Sequence, residues 1–506
     1  MTALSLLQGL IEEKTPRAVV ELASDELVAS AELLFESGFR LALVSASHDG
    51  DLIRVVYLFV DGPPDQRLEL HVRLDTDSPR VASLAHLSFP AGRFEREMRD
   101  LFGIEPIGHP QPRPLVLHQH WPPGWHPMRA DAGPQPAMDH DAGSFPFAEV
   151  EGAGVYEIPV GPVHAGVIEP GHFRFWVVGE TIVRMKARLW FVHKGIERLF
   201  EGRDLDFALG LSEKISGDSA VGHSLAFVQA VEEALGIEVA SRAQELRAVL
   251  IELERLYNHV SDVGALCNDV GFGIVNAHAL TLRERLLQLN ETVTGHRLLR
   301  GGVHYGGATL LKLPRVDELN EIARAFHELV DLARANNIVM DRFTGTGVLS
   351  AEQAREIGVL GVVARASALD DDARVMHPFV PMPATFHRVR RDTGDVLARF
   401  EVRCDEVDVS LRLLSDFVSR EGPLTIDGPH EIVQRAGHGT GIVEGWRGAI
   451  THRVEFGLAG ALQRVKVVDP SFFAWPALPI ALSDTIVPDF PLVNKSFNLS
   501  YAGNDL

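Results

Sequence analysis

Sulfur is the first chemistry to consider in this sequence, because thiolates hold iron-sulfur clusters and many metal ions. The 506 residues include only two cysteines, Cys267 and Cys404, which stand far apart. Two thiols cannot form a disulfide framework, a structural zinc site or a four-thiolate cluster within the chain. We therefore expect no metal or cofactor bound by this chain, and we expect any 4Fe-4S cluster of the system to lie in a partner subunit.

The charge of the chain limits its partners. The formal net charge is -21 at pH 7, whereas nucleic acids and anionic lipid surfaces are bound by clusters of Lys and Arg. We expect no nucleic-acid partner, and a protein partner is favoured for any docking face. A dinucleotide fingerprint is not present either, because Gly271-Phe272-Gly273 lacks the required glycine spacing.

Length and patterning predict an α+β protein of at least two domains. Residues 1–104 predict a small α/β domain, with a helix over Asp25–Glu36 and strands over Leu41–Ser45, Leu52–Phe59 and Leu68–Leu74. Residues 105–152 are rich in Pro, His, Gly and Trp without periodicity, which predicts a linker arm.

Residues 153–506 predict a second, larger domain that opens with a β-hairpin, continues as a bundle of long helices and ends with strands. The predicted elements are hairpin strands Phe173–Val178 and Ile182–Val192, helices Ser241–Leu266, Leu280–Val293, Leu319–Leu332 and Val407–Val418, and strand regions Gly441–Phe456 and Leu462–Val468. Apolar runs are too short for a membrane span and the N-terminus lacks a basic leader. We expect a cytoplasmic protein.

Two ordered groups of motifs resemble a known family. The first runs from Phe94-Glu95-Arg96-Glu97 to Gly103-Ile104 and continues at Gly108-His109-Pro110 and Gly124-Trp125-His126-Pro127. A solvated surface helix would also carry charges at this spacing. The length and order of the match instead resemble the 30 kDa peripheral-arm subunit of respiratory complex I.

The second group resembles the large subunit of group 4 nickel-iron hydrogenases and its complex I relative, the 49 kDa subunit. It comprises Val160-Gly161-Pro162-Val163-His164, Glu169-Pro170-Gly171-His172, Val192-His193-Lys194-Gly195, Glu252-Leu253-Glu254-Arg255 and Glu444-Gly445-Trp446-Arg447-Gly448. The resemblance covers the chain from about Val81 to the C-terminus. Its fused order is that of formate hydrogenlyase large subunits.

The sequence departs from the hydrogenases where they hold their metals. Their nickel-iron site uses two Cys-x-x-Cys pairs, because soft thiolates suit nickel. The matching positions here are Ser216, Ser219, Ser471 and Ala474. Serine is a hard, weak ligand and alanine offers none, so we expect no nickel-iron centre and no hydrogenase activity.

The resemblance to the 49 kDa relative in complex I implies a quinone chamber lined by a hairpin-loop His and a Tyr near the first lost cysteine pair. The Tyr position falls on Gly217, and the loop His falls near Glu169, between His164 and His172. From this resemblance the nominated catalytic residues are Glu169, His172 and Asp269, and the nominated cofactor-binding residues are His164, Gly217 and His223. Other ionisable groups expected around the vacated cavity are Glu197, His259, Arg283 and Arg447. Of these, Glu197 and Arg447 are expected to serve in structural ion pairs.

The resemblance implies a subunit of a membrane-associated, NADH:quinone oxidoreductase-like complex, peripheral on the inner face of the cell membrane. Such a subunit would dock an iron-sulfur small subunit and work with antiporter-like and quinone-chamber membrane subunits in electron transfer coupled to ion translocation. The alternative is a structural assembly subunit without a redox role. An active hydrogenase is disfavoured by the missing thiolates.

Overall fold

The computed structural model describes residues 3–139, 141–143, 145–147, 149–165, 168–433 and 435–506. The N-terminal unit is built on a four-stranded sheet of order β1-β4-β3-β2, in which β1 and β4 are parallel and the other neighbours antiparallel. Its elements are α1 (Ala3–Glu12), β1 (Arg17–Leu22), α2 (Leu27–Glu36), β2 (Arg40–Asp49), β3 (Leu52–Asp61), β4 (Gln66–Asp75), β5 (Arg80–Ala82), α3 (Phe89–Phe102) and β6 (Glu105–Ile107). The apolar run of β3 is buried on both faces of this sheet.

Helix α3 carries the first family motif and has clear end signals. Pro90 stands in its first turn, and Gly103 ends it in the left-handed conformation, with φ of 74°. The arm that follows is tied to this helix. The Asp100 carboxylate accepts hydrogen bonds from the amides of Leu115 and Val116 at 2.7 and 2.8 Å. The Pro-rich segment is therefore bound to α3 at this point.

The larger unit begins with a three-stranded antiparallel sheet and continues as helices. The elements are β7 (Val155–Val160), β8 (His172–Val178), β9 (Thr181–Arg188), α4 (Ile196–Phe200), α5 (Leu205–Ser212), α6 (Ala220–Leu235), α7 (Ser241–Asp269), α8 (Gly273–Thr294), β10 (Val303–His304), β11 (Gly307–Thr309), α9 (Val316–Arg334), α10 (Asn337–Phe343), α11 (Ala351–Ile357), α12 (Gly361–Ala366), α13 (Ala373–Met376) and α14 (Val396–Val418). Helix α7, about 43 Å long at 1.5 Å per residue, packs on α8 and α14 as the central member of the bundle.

A second sheet and a run of short helices complete the chain. They are β12 (Thr425–Ile426), β13 (Gly437–Glu444), β14 (Ala449–Phe456), β15 (Leu462–Val468), α15 (Pro470–Ala474), α16 (Ala477–Ala481), α17 (Phe490–Phe497) and α18 (Tyr501–Asp505). Helix α6 lies across β13 at close range. Gly439 and Gly441 allow this approach, because a Cβ on either would stand within 2.3 Å of a carbonyl oxygen of α6.

The predicted α+β class is confirmed, with corrections in detail. Helices α8 and α14 begin at Gly273 and Val396, well before the predicted starts. Strand β1 was not predicted, because its half-exposed Arg17–Leu22 pattern is short. The second hairpin strand ends at Arg188 and not at Val192, and β7 adds a third strand to the hairpin. The region Gly441–Phe456 is two strands that turn at Gly445. Helix α6 was also missed, because it is apolar on nearly all sides and lacks a helical period.

Buried ion pairs join the N-terminal unit to the C-terminal sheet. Arg453 of β14 binds both carboxylate oxygens of Glu69 on β4 at 2.8 and 2.9 Å, and both side chains are almost fully buried. Lys466 of β15 binds Glu97 of α3 at 2.6 Å. Burial alone would raise the pKa of Glu69, but Arg453 and the His71 side chain hold it far below its usual range.

Replacing Glu69 by Ala should leave the buried Arg453 guanidinium with Glu455, at 2.9 Å, as its remaining acidic partner. Because breaking a buried ion pair is costly, we expect a loss of about 3 kcal/mol in the free energy of unfolding, the lower end of the range for such pairs, measured by urea denaturation. The matched control is Glu105→Ala, which removes an exposed partner of Arg80 and should cost at most about 1 kcal/mol. Equal losses in the two variants would contradict the structural role of the Glu69 pair.

Candidate functional site

The four positions that correspond to the lost cysteines come together in the fold. Ser216 and Ser219 stand in the loop between α5 and α6, whereas Ser471 and Ala474 stand on α15. The Ser216 hydroxyl lies 2.9 Å from the Ser500 hydroxyl, and the Ser500 amide donates to Ser471 Oγ at 2.9 Å. We call Ser216, Ser219, Ser471 and Ser500 the serine cluster. All four are buried.

An arginine and an aspartate border the serine cluster. Arg447 makes two hydrogen bonds to the Asp218 carboxylate, at 2.8 and 2.7 Å, and donates to the Asn498 carbonyl at 2.5 Å. The hydroxyls of Ser216 and Ser219 also donate to Asp218. Burial would raise the pKa of Asp218, but Arg447 and these hydroxyls lower it to about 2. Asp218 is therefore a fixed negative charge at neutral pH.

The donor set of the serine cluster does not fit a nickel-iron centre. Nickel and iron in such a site require four thiolates, and the atoms present are three hydroxyls and a methyl group. The hydroxyls of Ser216 and Ser471 are already bonded to Ser500. Among the described residues, no group of three or more His, Cys, Asp or Glu side chains is placed to hold another metal ion.

A buried relay leads away from the serine cluster. Asp469 caps α15 by accepting the Ser471 amide at 2.7 Å, and its other oxygen lies 3.2 Å from His223 Nε2. His223 Nδ1 lies in turn 3.0 Å from His452 Nε2. Burial and the neighbouring His223 push the pKa of His452 far below its ordinary value. The His223 imidazole is thus linked to the cluster through Asp469, which sequence analysis did not nominate, and the His223 amide donates to the Ser219 carbonyl at 3.1 Å.

Glu254 of α7 lies behind the loop that carries Ser216 and Ser219. Its carboxylate accepts the amides of Val221 and Gly222, in the first turn of α6, at 2.7 and 3.0 Å. Burial raises the pKa of Glu254 to about 8, although these two hydrogen bonds favour the charged form. A buried carboxyl group that keeps its proton at neutral pH is suited to proton storage.

The loop between β7 and β8 carries three of the nominated residues. His164 Nε2 lies 2.7 Å from the Gly171 carbonyl, and His172 Nδ1 lies 3.1 Å from the Gly161 carbonyl, so both imidazoles tie the loop to itself. Glu169 accepts the Ala502 amide at 3.0 Å and joins the loop to α18. Residues 166 and 167 lie outside the described residues.

Tyr501 is a site residue that sequence analysis missed. Its ring packs against Gly171, where an added Cβ would stand 2.5 Å from Tyr501 Cε1, and its centroid lies 4.8 Å from the Trp475 ring. It follows directly after Ser500 of the serine cluster. Burial raises the pKa of Tyr501 to about 12. The chain thus places a tyrosine beside the hairpin loop although the position expected for one is Gly217.

Asp269 and Gly217 stand apart from this core. Gly217 is exposed, and a Cβ there would meet nothing within 4 Å. Asp269 is an exposed residue at the end of α7, about two turns beyond Asp262. Asp262, which was not nominated, is the acid of α7 that reaches the core, since it accepts from Asn498 at 2.7 Å and from Arg403 at 2.9 Å.

A second buried charge group lies deeper in the fold, beyond His259 and Trp446, whose rings are 5.9 Å apart. We call it the buried charge cluster. Its three arginines and four acids are Arg255, Arg365, Arg374, Glu252, Asp372, Glu406 and Glu444. With four acids against three cations, one acid is expected to hold a proton, and burial together with the nearby Asp372 raises the pKa of Glu444 to about 7. Neither ring nitrogen of His259 finds a partner among the described residues.

Two predicted pairings are confirmed. Glu197 binds Arg464 at 2.6 Å and Lys466 at 3.0 Å, and Arg447 binds Asp218. Both residues therefore serve in ion pairs, and Arg447 does so at the edge of the serine cluster. Arg283 instead lies against the Tyr257 ring, with its Cζ 5.7 Å from the centroid.

Comparison with known proteins identifies the family of the chain. Residues 20–137 match the family of the respiratory-chain NADH dehydrogenase 30 Kd subunit, and residues 269–438 match that of the 49 Kd subunit. Formate hydrogenlyase subunit 5 of Escherichia coli (strain K12) is 33% identical over 451 residues, which span 87% of this chain and 79% of the relative. The chain belongs to this family of fused, hydrogenase-like large subunits.

One further relative has quinone in its name, and one solved structure shares the fold. The C/D subunit of NADH-quinone oxidoreductase from Bacteroides thetaiotaomicron is 29% identical over 397 residues, covering 73% of this chain and 74% of the relative. A solved chain of the membrane-bound sulfane sulfur reductase, an archaeal respiratory membrane complex, superposes with a TM-score of 0.63 over 70% of this chain and 99% of that one. At 24% identity this last likeness supports the fold alone. None of the described helices is long and apolar enough to cross a membrane.

The raised pKa of Glu254 predicts a pH dependence. The folded chain keeps this proton up to about pH 8, whereas the unfolded chain releases it near pH 4.5. Raising the pH between these values therefore destabilises the folded state. Relative to Glu254→Gln, the native chain should lose up to about 4 kcal/mol of unfolding free energy from pH 5 to pH 8.

This comparison is read from urea denaturation at each pH. Gln at position 254 loses one hydrogen bond to the α6 amides, but that loss is the same at every pH and cancels from the trend. The exposed Glu356→Gln replacement is the matched control and should follow the native curve. A constant difference between the native chain and Glu254→Gln would show that Glu254 is already ionised at pH 5.

Proposed function

We propose that this chain is the large subunit of a membrane-associated oxidoreductase complex and that it works without a nickel-iron centre. The observation that carries the proposal is the serine cluster. The positions that correspond to the metal ligands still lie together in the fold, but Ser216 and Ser471 are joined there through Ser500. The Ser216 hydroxyl lies 2.9 Å from the Ser500 hydroxyl, and the Ser500 amide donates to the Ser471 hydroxyl at 2.9 Å. Acid and base groups such as Asp469, His223 and Glu254 surround this position, so the chain is suited to proton and electron transfer to an acceptor other than H+.

The acceptor class we propose is a quinone, bound at the hairpin loop. Family members named as the C/D subunit of NADH-quinone oxidoreductase support this choice, and the loop brings Glu169 next to α18 and Gly171 against Tyr501. Reduction of a quinone to a quinol takes two electrons and two protons. In this proposal a 4Fe-4S cluster of a partner subunit supplies the two electrons one at a time. Tyr501 donates one proton to one reduced oxygen, and the other oxygen takes its proton from water.

Buried groups with raised pKa values would resupply that proton. Glu254 holds a proton at neutral pH, and it accepts the Val221 amide just after the loop that carries Ser216. Glu444 titrates near pH 7 within the buried charge cluster, and His259 stands between this cluster and Trp446. We propose that these groups form part of a route that couples electron transfer to ion movement through membrane subunits.

A structural assembly role is the second candidate, and the close packing of the site favours it. Arg447 closes the edge of the serine cluster by binding both Asp218 and the Asn498 carbonyl. In that case the fold would hold partner subunits together and no electrons would pass. Both candidates predict membrane partners, but only the first requires a partner that bears a cluster.

Isolation of the complex separates the two candidates. We expect a tagged chain recovered from detergent-solubilised membranes to carry an iron-sulfur small subunit, with a reduced-cluster signal in electron paramagnetic resonance. Elemental analysis should find nickel far below one atom per chain, with a nickel-iron hydrogenase purified in parallel as the positive control. A complex without a cluster-bearing subunit would favour the assembly role, and about one nickel per chain would refute the proposal as a whole.

Replacing Tyr501 by Phe tests the acceptor site. The ring keeps its packing against Gly171 and Trp475 while the phenolic proton is removed, so the complex should assemble normally. We expect quinone-linked turnover to fall by about 10²-fold or more, the scale of a lost acid-base group, with the cluster signal unchanged. The control is Tyr156→Phe, an exposed tyrosine that donates to the Gly179 carbonyl. Undiminished turnover in Tyr501→Phe would exclude this tyrosine as the proton donor.

A further inference from the structure

A cleft between the two units is lined by cations in a chain that is otherwise strongly acidic. It has a volume of about 300 Å³ and lies where α3, the arm and β9 meet. Its six cations are Arg93, Arg96, Arg113, Arg184, Lys186 and Arg188, and none of the described residues that line it is acidic. We call it the cationic cleft. Against a net charge of -21, six positive charges in one cleft require an explanation.

Backbone carbonyls, and not carboxylates, hold the inner cations of the cleft in place. Arg96 donates to the carbonyls of Arg113 and Pro114 at 2.7 and 2.9 Å. Arg188 donates to those of Leu115 and Leu117 at 2.5 and 3.0 Å. Carbonyl dipoles orient a guanidinium but do not neutralise it. The carboxylate that acts on both Arg96 and Arg188 is Asp100, which lies outside the lining of the cleft. The cations are thus fixed in position before any ligand arrives.

Hydrogen-bond donors remain free within the cleft. The Nε atoms of Arg93 and Arg188 are buried and find no acceptor among the described residues, although Arg188 is only 6% exposed. The Arg93 guanidinium lies instead over the rings of Phe472 and Trp190, at 4.6 and 5.6 Å. Unpaired donors on buried cations are costly, and an anion in the cleft would satisfy them.

The mutual repulsion of these cations lowers their pKa values. Burial and four surrounding arginines lower the pKa of Lys186 to about 8, and the charged groups that act on it are all cations. Burial and Arg96 lower the pKa of Arg93 to about 9. The carboxylates nearest to Arg93 are engaged elsewhere, since Glu97 binds Lys466 at 2.6 Å and Asp505 accepts the Val192 amide at 3.1 Å.

We propose that the cationic cleft binds a phosphate-bearing anion. A single carboxylate would neutralise one of six charges, whereas a phosphate or pyrophosphate group carries two or more and accepts the forked hydrogen bonds that guanidinium groups offer. The other walls are apolar and aromatic, formed by Phe89, Phe145, Trp190 and Trp475. They suit an organic body attached to the phosphate.

The cleft adjoins the candidate redox site through one side chain. Trp475 lines the cleft and packs edge-on against Tyr501 at 4.8 Å. It is also the residue that follows Ala474 of the former metal position. An anion seated against Trp475 therefore lies two side chains from the hairpin loop, where it can influence the orientation of Tyr501. The binding proposal itself does not depend on the quinone assignment.

Titration of the full chain with sodium pyrophosphate tests the proposal. Binding is followed by calorimetry and by tryptophan fluorescence, with sodium chloride at equal ionic strength as the reference. Arg184 and Lys186 keep part of their side chains in contact with solvent at the opening of the cleft, so Lys186→Gln and Arg184→Gln should leave the fold intact. Each should weaken binding by about tenfold, the effect of one lost charge-assisted contact. The matched control Lys312→Gln removes one exposed positive charge outside the cleft and should bind as the native chain does.

Vesicles distinguish a free phosphate ligand from a lipid headgroup. Pyrophosphate binding without recruitment to phosphatidic acid vesicles assigns a soluble ligand. Recruitment to these vesicles, but not to phosphatidylcholine vesicles, assigns a headgroup, provided that Lys186→Gln reduces it. The proposal fails if pyrophosphate and vesicles both leave the chain unbound, or if Lys186→Gln binds like the native chain. It also fails if Lys186 cross-links to an acidic segment of a partner subunit in the intact complex.

Discussion

The Arg447 guanidinium is the interaction on which the candidate site depends. It binds the Asp218 carboxylate with two hydrogen bonds, reaches the Asn498 carbonyl and lies 3.9 Å from the Trp446 ring centroid. Those contacts join the loop before α6, the turn after β13 and the segment before α18. Two metal ions and four thiolates join the corresponding segments in a hydrogenase. In the function proposed for this chain, a single forked ion pair and the hydroxyls of the serine cluster hold these segments together instead.

An ion pair in place of a metal changes what the surroundings must supply. A metal centre carries its own charge and redox levels, whereas Arg447 and Asp218 are fixed in their charge states over the physiological range. In the proposed function, proton exchange therefore falls to neighbours with raised pKa values, such as Glu254 and Glu444. Both are held in fully buried positions by contacts from α6, α12 and α13. The packing of the bundle around α7 thus sets the acid-base behaviour of the site.

Much of the fold could be predicted from the sequence, since long amphipathic helices and alternating strands are indicated by their periods. The convergence of Ser216 and Ser471 followed from the family's two-pair arrangement, not from local pattern. What could not be predicted depends on long-range contacts. Tyr501 stands more than 280 residues from Gly217, and only the folded C-terminal segment brings it to the hairpin loop. Asp262 and Asp269 lie on one helix, and only packing against Arg403 and Asn498 shows that Asp262 faces the core.

The same limit explains why the cationic cleft could not be predicted from the sequence. Arg93 and Arg96 lie on a polar face of a helix, Arg113 belongs to the arm, and Arg184 to Arg188 belong to a hairpin strand. Each group alone has the pattern of an ordinary solvated surface. The cleft arises because Asp100 fastens the arm to α3 while Arg188 fastens it to β9. One segment without regular structure thereby brings three sets of cations to face each other, and in our proposal an anionic ligand offsets the repulsion that Asp100 alone does not.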